Sequence, residues 1–170
     1  MRYALKQRLW QRRGTFRIQD DAGEDVMTAT PTVLSTSFEV VFRDLAGREL
    51  LAIRNRAMSV RRTWDIYRGG EPIAVIVGGR DTATFVGIRF DIGKPTFRFD
   101  VDVPGPDDLV VKGSIEEHEY TMKRGDRTVA TVSKTWFSWD DSYGVEIVDG
   151  EDIPLVLAST VAIDIVIGYD

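Results

Sequence analysis

Two groups of charged residues have side-chain types and spacings that suit ligand binding. The first comprises Arg54, Arg56, Arg61 and Arg62, which fall within nine residues of one another. On a strand, Arg54 and Arg56 would point to one face, and a guanidinium fork matches the oxygens of a phosphate group. The segment therefore predicts a site for an anionic lipid headgroup or another phosphorylated ligand. The alternative is an outward face on which these arginines pair with some of the many aspartates.

The second group is acidic and comprises Asp140, Asp141 and Glu146. Carboxylate oxygens suit a hard cation such as calcium. The spacing is not that of an EF-hand loop, and Glu146 falls on a predicted strand that would turn it away from the two aspartates. We keep calcium as a candidate ligand beside the alternative of a turn rich in solvated carboxylates.

The motifs that mark the common enzyme classes do not occur in this sequence. It has no cysteine, and its one histidine, His118, lies among Glu116, Glu117 and Glu119, so we interpret it as a surface or strand residue. Neither a Gly-x-Ser-x-Gly elbow, a P-loop nor a dinucleotide fingerprint is present. We predict a non-enzymatic protein that has no catalytic residue and no cofactor, with calcium as the one candidate exception. An enzyme with a carboxylate-based site remains the open alternative.

The charge balance argues against nucleic acid as a partner. The formal net charge is −5 and the sequence pI is about 5.0, whereas nucleic-acid-binding domains are usually basic. The first residues show no apolar run of the kind that signal peptides carry. We expect a cytoplasmic location, peripheral to the membrane if the ligand is a lipid.

One segment near the end of the chain organises the predicted fold. Leu155 to Ile167 is almost entirely apolar, and Pro154 suits the first turn of a helix. We predict a helix over residues 153–167 that is buried on all sides and too short to span a bilayer. Asp164, its one charge, then needs a buried partner and is interpreted as a structural anchor.

The chain before this helix reads as paired strands. Five times, an alternating run led mostly by an aromatic residue meets a turn rich in glycine and aspartate, and a second apolar run follows. With residues 4–10 and 143–148 this gives about twelve strands. An apolar helix needs a closed lumen, so we predict an all-β fold with one helix, an antiparallel closed barrel around it. Residues 1–170 are expected to form one domain.

Several stretches resemble a known family. Thr131 to Trp139 (TVSKTWFSW), followed by Asp141 to Ile147 (DSYGVEI), is similar to the C-terminal signature of the LURP-one-related proteins. The opening Met1-Arg2-Tyr3, the turn over residues 101–109 and the apolar helix with one aspartate fit the same family, as a small prokaryotic-type member. The resemblance implies a tubby-like and scramblase-like fold, a twelve-stranded barrel threaded by its C-terminal helix.

The same resemblance implies two functional expectations. Tubby domains bind phosphoinositides through basic surface residues, and scramblases act on membranes with calcium, through a segment similar to residues 140–146. Our leading prediction is therefore a non-enzymatic module that binds an anionic, phosphoinositide-like lipid or a phosphorylated ligand. The alternative, a calcium-dependent scramblase-like activity, requires the helix to leave the barrel, and its length and Asp164 argue against that.

Overall fold

The computed structural model describes residues 1–6, 14–33, 37–56, 62–80, 97–103, 108–136 and 142–168. Within these ranges the chain forms twelve strands, a short 3-10 helix over Lys134–Trp136 and one α-helix. The strands are β1 (Arg2–Lys6), β2 (Phe16–Asp20), β3 (Asp25–Val33), β4 (Phe38–Arg43), β5 (Glu49–Asn55), β6 (Arg62–Arg68), β7 (Glu71–Arg80), β8 (Phe97–Asp102), β9 (Leu109–Ser114), β10 (Glu119–Arg124), β11 (Arg127–Ser133) and β12 (Ser142–Ile147).

The strands close into one antiparallel barrel in which sequence neighbours are also spatial neighbours. β1 completes the ring, because it pairs with β12 over Arg2↔Glu146 to Lys6↔Ser142 and with β2 on its other side. The five predicted hairpins are β2–β3, β4–β5, β6–β7, β8–β9 and β10–β11, each with antiparallel pairing. The predicted fold class is confirmed.

The β6–β7 hairpin shows how local sequence sets this geometry. Gly69 and Gly70 are the two residues between the paired ends of the strands, and both have positive φ, 58° and 85°. A two-residue hairpin that follows the right-handed twist of its strands needs positive φ at both central positions, which glycine adopts without steric cost.

The helix α1 spans Ile153–Gly168, one residue beyond its predicted end. The carboxylate of Asp152 caps it by accepting the backbone N–H of Leu155 at 3.2 Å. The hydroxyls of Ser159 and Thr160 donate to carbonyls one turn back, at 2.8 and 2.9 Å, so these buried polar groups are satisfied within the helix. Within the described residues, no helix combines the length and the apolarity needed to cross a membrane.

The core lies between α1 and the inner face of the barrel. Alternate strand residues such as Val40 and Phe42 point inward and are fully buried. The helix residues from Leu155 to Val166 are likewise buried, as the all-apolar pattern predicts. The helix thus fills the lumen and serves as the second layer of the core.

Charged contacts identify the two ends of the barrel. At the proximal end, where α1 begins, Arg68 on β6 pairs with Asp152 and Arg124 on β10 pairs with Glu151. At the distal end, near the close of α1, His118 from the β9–β10 turn contacts Asp164. The last residues of β3 and β5 and the first residues of β4 and β6 also lie at the distal end, because neighbouring strands run in opposite directions.

Candidate functional site

The predicted arginine site lies on the outer face of the barrel near its distal end. The register places Glu39 on β4, Arg54 on β5 and Asp65 on β6 side by side across three strands. The Nη2 atom of Arg54 donates to Oε1 of Glu39 at 2.6 Å, and its guanidinium lies over the ring of Tyr67, 5.2 Å from the centroid. The Arg54 side chain is held from two sides and stays 45% exposed.

Arg56 follows β5 and meets Asp65 in a two-point contact. Its Nε and Nη2 atoms donate to the two carboxylate oxygens at 2.7 and 2.6 Å. Two parallel N–H···O bonds from one guanidinium group to a carboxylate have the same geometry as those that bind a phosphate. The hydrogen bond to Asp65 raises the pKa of Arg56, and that to Glu39 raises the pKa of Arg54, so both guanidinium groups stay charged.

The remaining two predicted arginines, Arg61 and Arg62, follow Arg56 in the sequence. Arg61 lies outside the described residues, and of Arg62 only the backbone is described, at the start of β6 opposite Gly78. The N–H of Arg56 donates to the carbonyl of Thr63 at 2.9 Å, so the backbones of Arg56 and Arg62 lie on adjacent rungs. We define the arginine face as Arg54, Arg56, Glu39, Asp65 and Tyr67.

The predicted calcium site is described only in part. Asp140 and Asp141 lie outside the described residues. Glu146 is half-exposed on β12 and accepts a hydrogen bond from Nε of Arg2 at 3.0 Å, while Arg2 also covers the ring of Trp136. In the described ranges no three His, Cys, Asp or Glu residues converge as metal ligands. The calcium site stays a prediction.

A polar cluster inside the distal end was missed in our interpretation of the sequence. His118 is buried, not at the surface, and its Nε2 atom lies 2.7 Å from Oδ1 of Asp164 on α1. Its backbone is left-handed, with φ 54°, and its N–H donates to the carbonyl of Ile115, so the turn folds the ring back into the barrel. Asp164 therefore has the buried partner that its position demands.

Two tyrosines complete this cluster. The ring of Tyr143 on β12 packs against His118, with 4.6 Å between centroids, and Tyr120 lies two residues after His118 on β10. Among the described residues the buried hydroxyls of Tyr120 and Tyr143 have no hydrogen-bond partner; Thr160 comes near Tyr120 without reaching hydrogen-bond geometry. Burial, and then the charge of Asp164, raise the pKa of both tyrosines, so both stay neutral donors inside the barrel.

Comparison with known proteins gives a family match along the chain. The family model described as LURP-one-related matches residues 1–164. A relative, "Uncharacterized protein YxjI" of Bacillus subtilis (strain 168), is 24% identical over 166 residues, which is 98% of this chain and 93% of that protein.

A solved structure matches the barrel itself. The X-ray structure of a protein from Arabidopsis thaliana superposes with a TM-score of 0.59, covering 95% of this chain and 88% of that one at 18% identity. At that identity the likeness concerns the fold alone.

Proposed function

The chain belongs to the LURP-one-related family, and from that premise we propose that it is a non-enzymatic binding module for a phosphate-bearing anion. The ligand is the headgroup of an anionic, phosphoinositide-like lipid or a soluble compound with the same phosphate groups. The observation that carries the proposal is the convergence of Arg54 and Arg56 on one outward face of the barrel.

The local charge supports an anionic ligand. The stretch from Arg54 to Arg62 contains four arginines and no acidic residue, in a chain whose net charge is −5. Glu39 and Asp65 pair with Arg54 and Arg56, and the sequence of this stretch adds two further arginines and no acidic residue. A local positive field draws anions even to a protein that is acidic as a whole.

The bound carboxylates leave donors for a ligand. Arg54 contacts Glu39 through Nη2 alone, and Arg56 contacts Asp65 through Nε and Nη2. A guanidinium carries five N–H groups, so each arginine has more N–H groups than these contacts with Glu39 and Asp65 use. The carboxylates hold the side chains in place and thereby lower the entropy that a phosphate would have to remove on binding.

Sedimentation with vesicles tests the proposal. The protein is mixed with vesicles of phosphatidylcholine alone or with added phosphatidylinositol bisphosphate, at low and high salt. We expect pelleting with the anionic vesicles that fades as salt rises. A surface arginine contributes about 1 kcal/mol to such binding, so Arg54→Ala with Arg56→Ala should weaken it about thirtyfold.

The control is a second pair of exposed arginines with the same charge. Arg48 and Arg127 lie at the proximal end, are 80% and 60% exposed and also contact carboxylates. Replacing both with alanine should change binding little; an equal loss would mean that net charge alone drives binding. Release by soluble inositol trisphosphate separates a phosphate-binding site from a lipid surface effect. No binding to any vesicle mixture contradicts a lipid ligand, and no binding of inositol trisphosphate in addition contradicts the proposal.

A further inference from the structure

The arginine face holds equal numbers of positive and negative side chains. Arg54 contacts Glu39 and Arg56 contacts Asp65, in each case with a nitrogen and an oxygen 2.6 Å apart. The arginine side chains are 45% and 53% exposed, whereas the carboxylate side chains are 16% and 11% exposed. The guanidinium groups therefore meet the solvent, and each is already paired with a carboxylate that the solvent reaches much less.

Asp65 acts on both arginines. It lies directly across from Arg54 in the pairing of β5 with β6, and it accepts two hydrogen bonds from Arg56. The hydrogen bond to Glu39 is the main reason that the pKa of Arg54 is raised, and the charge of Asp65 adds to it. The two carboxylates are thus parts of one charge network and not of two separate surface pairs.

These resident carboxylates make a singly charged ligand a poor competitor. A carboxylate or a phosphodiester has one negative charge and offers the guanidinium groups no more than Glu39 or Asp65 already offers. The resident groups are tethered at contact distance, so they do not lose the translational freedom that an incoming ligand loses. A monoanionic headgroup therefore gains little at this face.

A phosphomonoester is a stronger ligand for the same arginines. It carries a charge of about −1.5 to −2 at pH 7 and three acceptor oxygens. Arg54 donates to Glu39 through Nη2 alone, and Arg56 donates to Asp65 through Nε and Nη2. Both guanidinium groups therefore keep N–H groups for a phosphate while their carboxylates stay paired.

We propose that Glu39 and Asp65 determine the specificity of the arginine face: they exclude carboxylates and phosphodiesters, so that the face binds a phosphomonoester dianion. The inference rests on the proposed function and names the chemical group on which that function depends. Specificity often comes from a repulsive element built against the wrong ligand. The phosphomonoester belongs to a phosphoinositide headgroup or to a soluble sugar phosphate, and vesicles and soluble compounds separate these two sources.

Two inositol lipids that differ only in phosphomonoesters test the specificity on the unchanged chain. Phosphatidylinositol has a phosphodiester alone, and phosphatidylinositol bisphosphate adds two monoesters to the same ring. In phosphatidylcholine vesicles of matched surface charge, we expect pelleting with the bisphosphate and not with phosphatidylinositol. If the chain binds inositol trisphosphate without pelleting, the source is soluble, and glycerophosphoinositol, which has only a phosphodiester, replaces phosphatidylinositol in every comparison.

The two carboxylates are tested by removing their charge and keeping their shape. An arginine freed of its carboxylate contributes about fivefold to binding at an anionic surface, so Glu39→Gln with Asp65→Asn should bind phosphatidylinositol vesicles about thirtyfold more tightly. The amides keep one acceptor oxygen for the arginines, so thermal unfolding should change little. If the double variant does not fold, Glu39→Gln alone, at the more exposed position of the two, should give about fivefold.

A matched control separates this effect from net charge. Asp25 contacts Arg17 and Asp44 contacts Arg48, and both carboxylates are likewise less exposed than their arginines. Asp25→Asn with Asp44→Asn changes the net charge by the same amount and should leave phosphatidylinositol vesicles unbound. An equal gain by both double variants, or no gain by either, overturns the inference.

The unchanged chain separates failure of the inference from failure of the proposed function. Equal binding of the two inositol lipids overturns the specificity and leaves the proposed function standing. Binding neither to the bisphosphate vesicles nor to inositol trisphosphate overturns both.

Discussion

Removing the buried contact between His118 and Asp164 should destabilise the barrel far more than removing a surface ion pair. Both residues are nearly inaccessible, 6% and 4% exposed, and their side chains meet at 2.7 Å. The informative change is His118→Ala. Alanine keeps the Cβ atom, so the steric cost that a Cβ meets in the left-handed backbone at this position, φ 54°, is present before and after.

The expected loss follows from what stays behind. Asp164 remains buried on α1 after the imidazole is removed and loses a contact of 2.7 Å, and breaking a buried pair by removing one partner costs about 3–5 kcal/mol. Loss of the imidazole ring that packs against Tyr143 adds to this cost through the space it leaves. We expect a decrease of about 4 kcal/mol or more in the free energy of unfolding. The half-exposed pair of Arg2 and Glu146 is the control, and Glu146→Ala should cost less than about 1 kcal/mol.

Urea unfolding followed by tryptophan fluorescence measures the difference. With an m-value of about 2.5 kcal/mol/M, the His118→Ala midpoint should fall by about 1.6 M. Asp164→Leu removes the carboxylate itself and should cost less, because it leaves no carboxylate buried in the lumen. In the double variant the loss should be at least about 2 kcal/mol smaller than the sum of the two single losses.

Two results would refute this reasoning. A loss below about 1 kcal/mol for His118→Ala would mean that Asp164 is satisfied by other groups. Strict additivity in the double variant would mean that the two side chains act independently despite their contact.

Three further predictions concern the core. Tyr143→Phe removes a buried hydroxyl with no hydrogen-bond partner among the described residues and should stabilise the fold by about 1 kcal/mol. Burial raises the pKa of Tyr143 in the folded state. The free energy of unfolding should therefore keep its full value below the ordinary tyrosine pKa of about 10 and fall as the pH rises above it. Calorimetry at rising pH should show a shallower fall for Tyr143→Phe than for the unchanged chain. Gly78→Ala would place a Cβ atom 2.0 Å from the ring of Phe99 and should lower the free energy of unfolding in urea by about 3 kcal/mol. Adding Phe99→Leu should recover part of this loss. An unchanged midpoint for Gly78→Ala would mean that the ring moves freely. Val161→Asp puts an unpaired charge into the lumen and should lower the free energy of unfolding by about 4 kcal/mol or more, whereas a cooperative transition at the original midpoint would show that the lumen accepts the charge.

The architecture could be predicted because its main signals are local. Each hairpin joins two alternating runs through a short turn, so strand pairing follows from sequence order alone. The apolar helix then decides between a sandwich and a barrel, since Leu155 to Val166 needs burial on every side. Neither step depends on contacts between distant parts of the chain.

The place of His118 could not be predicted in this way. Its neighbours Glu116, Glu117 and Glu119 suggest a solvated segment, and its burial comes from one left-handed residue that redirects the side chain. One signal was present: Asp164 requires a buried partner, and the sequence holds a single histidine. Matching the two would have placed the β9–β10 turn beside the end of α1.

The carboxylates that hold the arginine face were hidden by a β-bulge. Counting outward from the β4–β5 turn, where Arg43 pairs with Glu49, would place Glu39 opposite Ile53. The register shifts by one residue between Phe42 and Arg43, and Glu39 therefore pairs with Arg54. A bulge moves every later pair by one position and leaves little trace in composition, so the sequence showed the arginines and not their partners.

The filled lumen restricts where this barrel can bind anything. Barrels of many strands that carry ligands hold them inside, but here the interior is occupied by α1 from Leu155 to Val166. Binding must therefore use the outer face or the rims, where substitutions have small effects on stability. Arg54→Ala should then change vesicle binding with little change in unfolding, because the Arg54 side chain is 45% exposed, and His118→Ala should do the reverse under conditions where it stays folded. If one variant strongly changed both vesicle binding and the free energy of unfolding, the interior and the surface would have to be coupled. A closed rigid barrel would then be the wrong description of the binding protein.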